Sequence, residues 1–343
     1  MVERVEVSVS QIQQMLVDIF MGVNVPEKDA KIVAAALVDA ERSGVESHGL
    51  TRLKAYVDRV KKGTINANPQ IKVKENGAVA YVDGNNGLGQ VVTSLAVDKA
   101  IELAKKYGVG IVSAGNSNHF GTAGYYTNKI ADHGCIGFSG TNAGATTAPF
   151  GGMDLLLGTN PFSVAFPATE ENFCADMATS AVAKGKIRIY AKENKPIPLG
   201  WALDENGNDT TDPEAAIKGI LLPMSGHKGY ALAMVIDALC GLLTGSNLSC
   251  EAAPVVNSSS PANIGHFICA IDIEHFLPLK EFTARAQEWF DKMKHSKARP
   301  KMKIMIPGEP EAQRRALTKE KLNIIKETVD MINNYYVTYG KKN

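Results

Sequence analysis

Several stretches of the chain place titratable and anion-binding side chains at spacings that suit chemistry on a small acid. In Ser47-His48-Gly49-Leu50-Thr51-Arg52-Leu53-Lys54-Ala55-Tyr56, residues His48, Arg52 and Tyr56 fall at i, i+4 and i+8. On a helix opening here they share one face, while Leu50, Leu53, Val57 and Val60 form an apolar stripe on another. An imidazole exchanges a proton near pH 7, a guanidinium holds a carboxylate by two parallel hydrogen bonds, and a phenol adds a donor. The same face also reads as a solvated one capped by Ser47, and this stretch alone does not separate the two. His119 sits in the loop Asn116-Ser117-Asn118-His119-Phe120-Gly121, after a buried strand, where open α/β sheets place their ligands. The alternative is a histidine that only fixes the loop. Asp176, at the end of a strand over 173–177, is placed to orient an imidazole as a triad carboxylate does, or to cap the turn that follows. Ser225-Gly226-His227-Lys228-Gly229 opens a helix whose N–H groups and dipole, with Lys228, suit an anion such as phosphate.

These residues need elements to hold them. Apolar periodicity predicts helices over 8–22 (capped by Ser8 or Ser10), from Pro26 to Gly44, and through the opening stretch to about Lys62, so the first sixty residues read as all-helical. The texture then changes. A hairpin around Asn76-Gly77, a loop Asp83–Gly89, a helix over 90–107 and a strand over 109–113 make a β-α-β pattern. Further strands are expected over 136–140, 155–166, 173–177, 265–273 and 304–306. Helices are expected over 123–132, from Thr211, over 282–294 and from Thr318 to about Tyr335. The segment Tyr230–Leu243 is apolar nearly all round, which reads as a buried helix. Asn257–Asn263 is a Ser/Pro-rich loop.

Composition bounds what the chain can be. It has 343 residues, 45% hydrophobic and 21% charged, enough for about two packed domains. With 37 basic and 36 acidic residues the formal charge is +1, which argues against nucleic acid or an anionic membrane as a bulk partner. No apolar signal core opens the sequence, and no stretch is long enough to span a bilayer. Five cysteines without a C-x-x-C pair read as reduced thiols of a cytoplasmic protein. The motif searches are negative. Gly108-Val109-Gly110-Ile111-Val112-Ser113 lacks the third glycine of G-x-G-x-x-G and runs into a strand, so a Rossmann fingerprint is absent. Lys228 is followed by Gly229, so there is no Walker tail. No serine elbow and no metal-ligand spacing occurs; Asp272-Ile273-Glu274-His275 reads as a solvated strand end.

Taken together, the pieces resemble one family. Ser47-His48-Gly49 with Arg52 and Tyr56, Asn118-His119-Phe120-Gly121, Gly158-Thr159-Asn160-Pro161, Asp176-Met177-Ala178-Thr179-Ser180 and Gly200-Trp201-Ala202-Leu203-Asp204 are similar to stretches of the type-2 malate/L-lactate dehydrogenases. His227-Lys228-Gly229-Tyr230, Asn263-Ile264-Gly265-His266-Phe267 and Pro307-Gly308-Glu309 continue the series in the family's order, over nearly the whole chain. That group also includes ureidoglycolate dehydrogenase, 2,3-diketogulonate reductase and the reductases of piperideine-2-carboxylate. The resemblance implies an α/β fold with a non-Rossmann, mixed-sheet dinucleotide domain and a helical domain built from both chain ends. The expected division is 1–70 plus about 282–343 for the helical domain and 71–281 for the α/β domain, which carries most of the NAD(P) site, with the active site between them.

The resemblance further implies a homodimer that moves a hydride between NAD or NADP and a 2-hydroxy or 2-oxo acid, malate and oxaloacetate first. Lactate, ureidoglycolate, a diketo sugar acid or a cyclic imine are the alternatives. His48 or His119 is then the proton donor and acceptor. Arg52 and Tyr56 hold substrate, and Asp176, Met177, Ala178, Lys228, Gly229, Pro307, Gly308 and Glu309 contact the cofactor. Malate would need a second cation, for which Lys184, Lys186 and Arg188 are available. His227 departs from the Tyr or Asp expected there. From a different class, a non-catalytic nucleotide- or anion-binding protein would keep the fold but not the set His48, His119 and Arg52.

Overall fold

The computed structural model describes residues 3–256 and 259–340; Asn257 and Ser258 of the expected Ser/Pro-rich loop lie outside the described residues, as do the two residues at the start and three at the end. The chain begins with β1 (Arg4–Ser8), α1 (Val9–Gly22), α2 (Glu27–Arg42) and α3 (Leu53–Lys61). Ser8 caps α1, accepting the Gln11 N–H. The apolar stripes of the three helices meet in one core that includes Leu16, Phe20, Leu37, Leu50, Leu53 and Val57.

The middle of the chain supplies β2 (Lys72–Asn76), β3 (Val79–Asp83), α4 (Gly89–Tyr107), β4 (Val109–Ser117), α5 (Ala123–Asp132), β5 (Cys135–Thr141), β6 (Phe162–Phe166) and β7 (Phe173–Met177). There follow α6 (Lys184–Lys192), β8 (Ala202–Leu203), α7 (Pro213–Lys218), β9 (Ile220–Leu221), α8 (His227–Asp237) and β10 (Ile264–Asp272). The chain closes with α9 (Leu279–Lys294), α10 (Glu309–Leu317), β11 (Lys321–Ile325) and α11 (Lys326–Tyr339). Seven strands form one mixed sheet in the order β2-β3-β4-β10-β5-β6-β7. Only β3 and β4 pair in parallel, because α4 carries the chain between them; the other neighbours are antiparallel. This is the mixed-sheet α/β architecture that the resemblance implied. Helices α4 and α5 bury their apolar faces against the sheet around Val97, Ala100, Tyr126 and Ile130. Helix α9 packs through Phe290 against Phe166 and Phe173. No described helix is long and apolar enough to cross a membrane.

Several expectations are corrected. The stretch from Ser47 is not one helix: two 3-10 turns, Glu46–His48 and Leu50–Arg52, precede α3. Gly49, at φ −89 and ψ −139, breaks the path, and an added Cβ there would collide with the Glu41 carboxylate. The first sixty residues are not all helix, since β1 pairs with β11 from Arg4↔Ile325 to Ser8↔Lys321. The last helix therefore starts at Lys326, not Thr318. Residues 304–306 form no strand, and of 155–161 only Leu157 makes a bridge, to Thr147. Asp272 is buried and paired with Lys105 and His275, so it is no solvated strand end. Helix α8 is the largest departure. Along α8 and the π turn Ala238–Leu242 that continues it, Ala233, Ile236 and Cys240 are buried, but Met234, Val235, Leu242 and the following Leu243 are exposed, Leu242 by 68%.

Candidate active site

The helical layer and the sheet meet at a cavity of about 1180 Å³ whose wall includes His48, Arg52, His119, Asp176, Lys184 and Arg188. His48 and His119, 71 residues apart in sequence, stack with ring centroids 5.5 Å apart. Each ring is tied through Nδ1. His48 Nδ1 meets Ser47 Oγ at 2.9 Å, and His119 Nδ1 meets the Tyr56 hydroxyl at 2.6 Å. Among the described residues neither Nε2 has a hydrogen bond. Burial and then the neighbouring Arg52 charge pull His48 down to about 4. The same two causes, followed by His48 itself, hold His119 well below the usual histidine value. Both rings are therefore neutral at pH 7. Arg52 is fixed by its Nε donating to the Ser47 carbonyl at 2.6 Å.

The loop that carries His119 is held from three sides. Asn118, buried beneath it, donates to the Gly87 carbonyl at 2.8 Å and to Asn86, and accepts from Arg59 at 3.2 Å. Gly89, first residue of α4, lies so close that an added Cβ would overlap the carbonyls of Asn118 and His119. On the far side Phe120 is stacked between Tyr126, at 5.0 Å, and His266, at 4.9 Å and 6°. His266 spends both ring nitrogens on Thr141 and Ser117 hydroxyls, at 2.9 and 2.8 Å. The small-residue run Asp83–Gly89 is the trace of this packing in the sequence, although it does not point to Asn118.

The expected site residues divide into three groups. His48, Arg52, His119, Asp176, Met177, Ala178, Pro307 and Gly308 line the cavity together. Tyr56 does not: its ring is buried, 1% exposed, and its hydroxyl is spent on His119, so the phenol touches the imidazole and not the cavity. Asp176 orients no imidazole. Its carboxylate accepts the Gly124 N–H at 2.8 Å in the first turn of α5; it is exposed to the cavity, and the protein packed around that recess raises it above the usual carboxylate range. Gly308 has φ +93, and a Cβ there would press on Cys174, whose N–H donates to the Pro307 carbonyl at 2.9 Å.

The third group stands outside the cavity wall. Glu309 turns away, accepting from the Ile306 N–H at 3.1 Å and from Lys294 at 3.2 Å. Lys228 and Gly229 begin α8 beside the wall, on a turn that Met224 N–H ties to the Thr179 carbonyl at 2.8 Å. Of the three candidate second cations, Lys184 and Arg188 line the cavity on α6, while Lys186 lies 5.2 Å over the Trp201 ring. The start of α6 touches the histidine segment, since a Cβ on Gly185 would lie 3.9 Å from that of Ser47. Burial, and then Arg188, lowers the Lys184 ammonium.

Such a wall can bind an anion at Arg52, bind another at Lys184 and Arg188, and exchange a proton at a neutral imidazole. The volume exceeds what a small acid fills and leaves room for a larger ligand beside it. No atom lies within 4 Å of a Cβ placed on Gly121, so the loop leaves open space beside the cavity.

Comparison with known proteins agrees with this architecture. The family described as malate/L-lactate dehydrogenase matches residues 7–333. A malate dehydrogenase of Pyrococcus horikoshii is 45% identical over 305 residues, covering 86% of this chain and 84% of that protein. An L-sulfolactate dehydrogenase of Methanocaldococcus jannaschii is 39% identical over 321 residues, 93% of each. The solved sulfolactate dehydrogenase from the same organism superposes with a TM-score of 0.94 at 37% identity, over 98% of both chains. The NAD(+)-dependent ureidoglycolate dehydrogenase of Escherichia coli K12 is 36% identical over 242 residues, 70% of this chain and 69% of that one.

Proposed function

Because the chain belongs to the malate/L-lactate dehydrogenase family, we propose that this NAD(P)-dependent dehydrogenase acts on a 2-hydroxy or 2-oxo acid with a second anionic group, malate and oxaloacetate first. The observation that carries the reading is one cavity wall with Arg52, Lys184 and Arg188 around two neutral, stacked histidines. Relatives named for NAD(+) and for NADP(+) both occur, and the cavity has room for a dinucleotide beside a small acid. Met177, Ala178, Pro307 and Gly308 are the residues we assign to holding it, with Lys228 and Gly229 at the margin. The bound nicotinamide supplies the acceptor or donor of the hydride.

The chain's own groups do the rest. Arg52 grips the 2-carboxylate and fixes C2. His119 Nε2 takes the 2-hydroxyl proton in oxidation and returns it in reduction, with His48 stacked beside it. Tyr56 orients His119, and Lys184 with Arg188 receives the distal anion. A bound substrate carboxylate offsets the Arg52 charge and so raises the histidine toward the working pH. The five cysteines are free, which suits a reducing cytoplasm. A second copy of the chain is the occupant we assign to the exposed apolar face of Met234, Val235, Leu242 and Leu243, giving a homodimer. Size-exclusion with light scattering tests this: Val235→Glu with Leu242→Glu is expected to yield monomer, and an already monomeric wild type refutes the dimer.

The activity test follows NADH and NADPH absorbance over a panel of 2-oxo acids. Oxaloacetate or another doubly anionic 2-oxo acid such as sulfopyruvate is expected to exceed pyruvate by about 100-fold in kcat/KM, the worth of one charge-assisted pair. Preference for pyruvate would overturn the substrate class. No oxidation of either cofactor would favour a binding protein.

A further inference from the structure

His48 and Arg52 stand on the two 3-10 turns, Glu46–His48 and Leu50–Arg52, that meet at Gly49. The turns are tied to each other. Arg52 Nε donates to the Ser47 carbonyl at 2.6 Å, and Thr51 Oγ1 donates to the Glu46 carbonyl at 2.8 Å. The pair is therefore one unit, and whatever fixes that unit to the rest of the molecule sets where both side chains point. A turn leaves its first N–H groups without partners of its own, and a side chain at the cap position commonly answers them. Gly49 is the cap of the second turn and has no side chain to offer. Leu50, which follows it, is fully buried, so its N–H must find an acceptor within the protein.

That acceptor comes from α2. Glu41, in the last turn of α2, takes the Leu50 N–H on Oε2 at 3.1 Å, and the same oxygen fills the space that a Cβ on Gly49 would need. Glu41 is 8% exposed, and burial, with Glu46 adding to it, raises its carboxyl to about 7. Arg4, whose charge favours the ionised form, is itself bound to Glu46 at 2.6 Å. A carboxylate is an unfavourable group to bury at a helix end where an apolar side chain would pack, so its place is explained by the bond it makes. Two other anchors guide the unit less. The Arg4–Glu46 bridge is 36% and 35% exposed, and such pairs contribute little. The Leu50 side chain is sunk in the core, but apolar burial has no direction and leaves the turn free to rotate.

We propose that Glu41 is a positioning residue: its carboxylate caps the Leu50–Arg52 turn from α2, and so sets the angle at which Arg52 meets the substrate carboxylate and His48 stacks on His119. The inference rests on Arg52 as the substrate grip.

The test compares Glu41→Met, which keeps the bulk and removes the acceptor, with Glu41→Gln, whose amide oxygen still accepts. Steady-state kinetics are read with the preferred 2-oxo acid and reduced cofactor of the panel, and amide hydrogen exchange over residues 46–53 is read in the full chain. In Glu41→Met the Leu50 amide is expected to exchange about tenfold faster and KM for the oxo acid to rise about tenfold, with KM for the cofactor unchanged. Glu41→Gln is expected to protect Leu50 and to keep KM within about twofold of wild type. A merely structural loss would lower the active fraction, and so kcat, without separating the two KM values. If Glu41→Met fails to fold, Glu41→Asp serves: it draws the carboxylate back by one methylene and is expected to raise the same KM by about threefold. An unchanged KM for the oxo acid in the Met variant, or in the Asp variant where that one is used, would overturn the proposal. So would the same rise in the Gln variant, or equal rises for acid and cofactor. An Arg52→Gln variant with unaltered KM would instead remove the reading of Arg52 as the grip, while exchange at Leu50 would still decide whether Glu41 caps the turn.

Discussion

The two sides of the cavity are built differently. The His119 side rests on groups that are almost wholly buried: Tyr56, Asn118, Phe120, Tyr126 and His266. Each is pinned by a hydrogen bond or a ring stack, so the imidazole is held by α3, the loop before α4, α5 and β10 at once. The side that carries Lys184 and Arg188 is thin. Helix α6 has one fully buried residue, Ile187, in a small core shared with two-residue strands. Proton chemistry common to a family needs fixed geometry, whereas choice of the distal group can sit on a short helix that changes without disturbing the rest. Relatives named for malate, sulfolactate and ureidoglycolate fit that division.

Four experiments would break or sharpen the contrast. The largest effect belongs to the rigid side. His119→Ala is expected to lower kcat/KM by about 100- to 10,000-fold at pH 7 in steady-state assays. A larger loss in His48→Ala would transfer the proton role to that ring. Next, Gly89→Ala pushes a methyl group into the Asn118 and His119 carbonyls. It should reduce stability by about 1–3 kcal/mol in urea unfolding and displace the histidine, so kcat falls as well. An unperturbed variant would show the loop to be less tightly held than its contacts indicate.

On the thin side, Lys184→Gln and Arg188→Gln are each expected to raise KM for oxaloacetate about tenfold while leaving pyruvate turnover and folding stability nearly unchanged. Equal losses on both substrates would mean that α6 serves the reaction and not its selectivity. The smallest effect is in the acid stability. His48 and His266 are lowered to about 4 and about 3, and His119 is lowered too, chiefly by burial. The unfolded chain binds these protons more readily than the folded one. Their stabilising contribution is therefore complete above the ordinary histidine value of about 6.5 and is lost as pH falls toward the folded values. His266→Gln should flatten that slope by at most about 1.4 kcal/mol per pH unit, read from unfolding midpoints between pH 6 and 4.

What the sequence made legible follows from how local each signal is. The apolar stripe Leu50, Leu53, Val57 and Val60 holds in the structure, because it depends only on spacing and a nearby core. The shared helical face of His48, Arg52 and Tyr56 does not, because Gly49 breaks the helix and Tyr56 turns inward to a histidine 63 residues away. Asp176 and His119 lie where strand ends and loops place them, yet Asp176 binds a backbone N–H that no spacing rule reveals. Helix α8 shows a further limit: apolar residues all round predict burial, but a sequence does not say whether the cover comes from the same chain.

The ribbon of β1 and β11 has a consequence for the order of assembly. Arg4 pairs with Ile325, more than 300 residues later, and α11 then packs against α1. The helical layer that presents His48 and Arg52 is thus sealed by a strand, Lys321–Ile325, that is synthesised long after its first helices. The seven-stranded sheet can be collected earlier, from segments that are already out, and the growing chain must wait with its first helices uncovered. A pulse-labelled nascent chain stalled before residue 321 should be cut in its first sixty residues well before its sheet. The β1–β11 ribbon behaves as a clasp that makes synthesis through Ile325 a condition of a finished site.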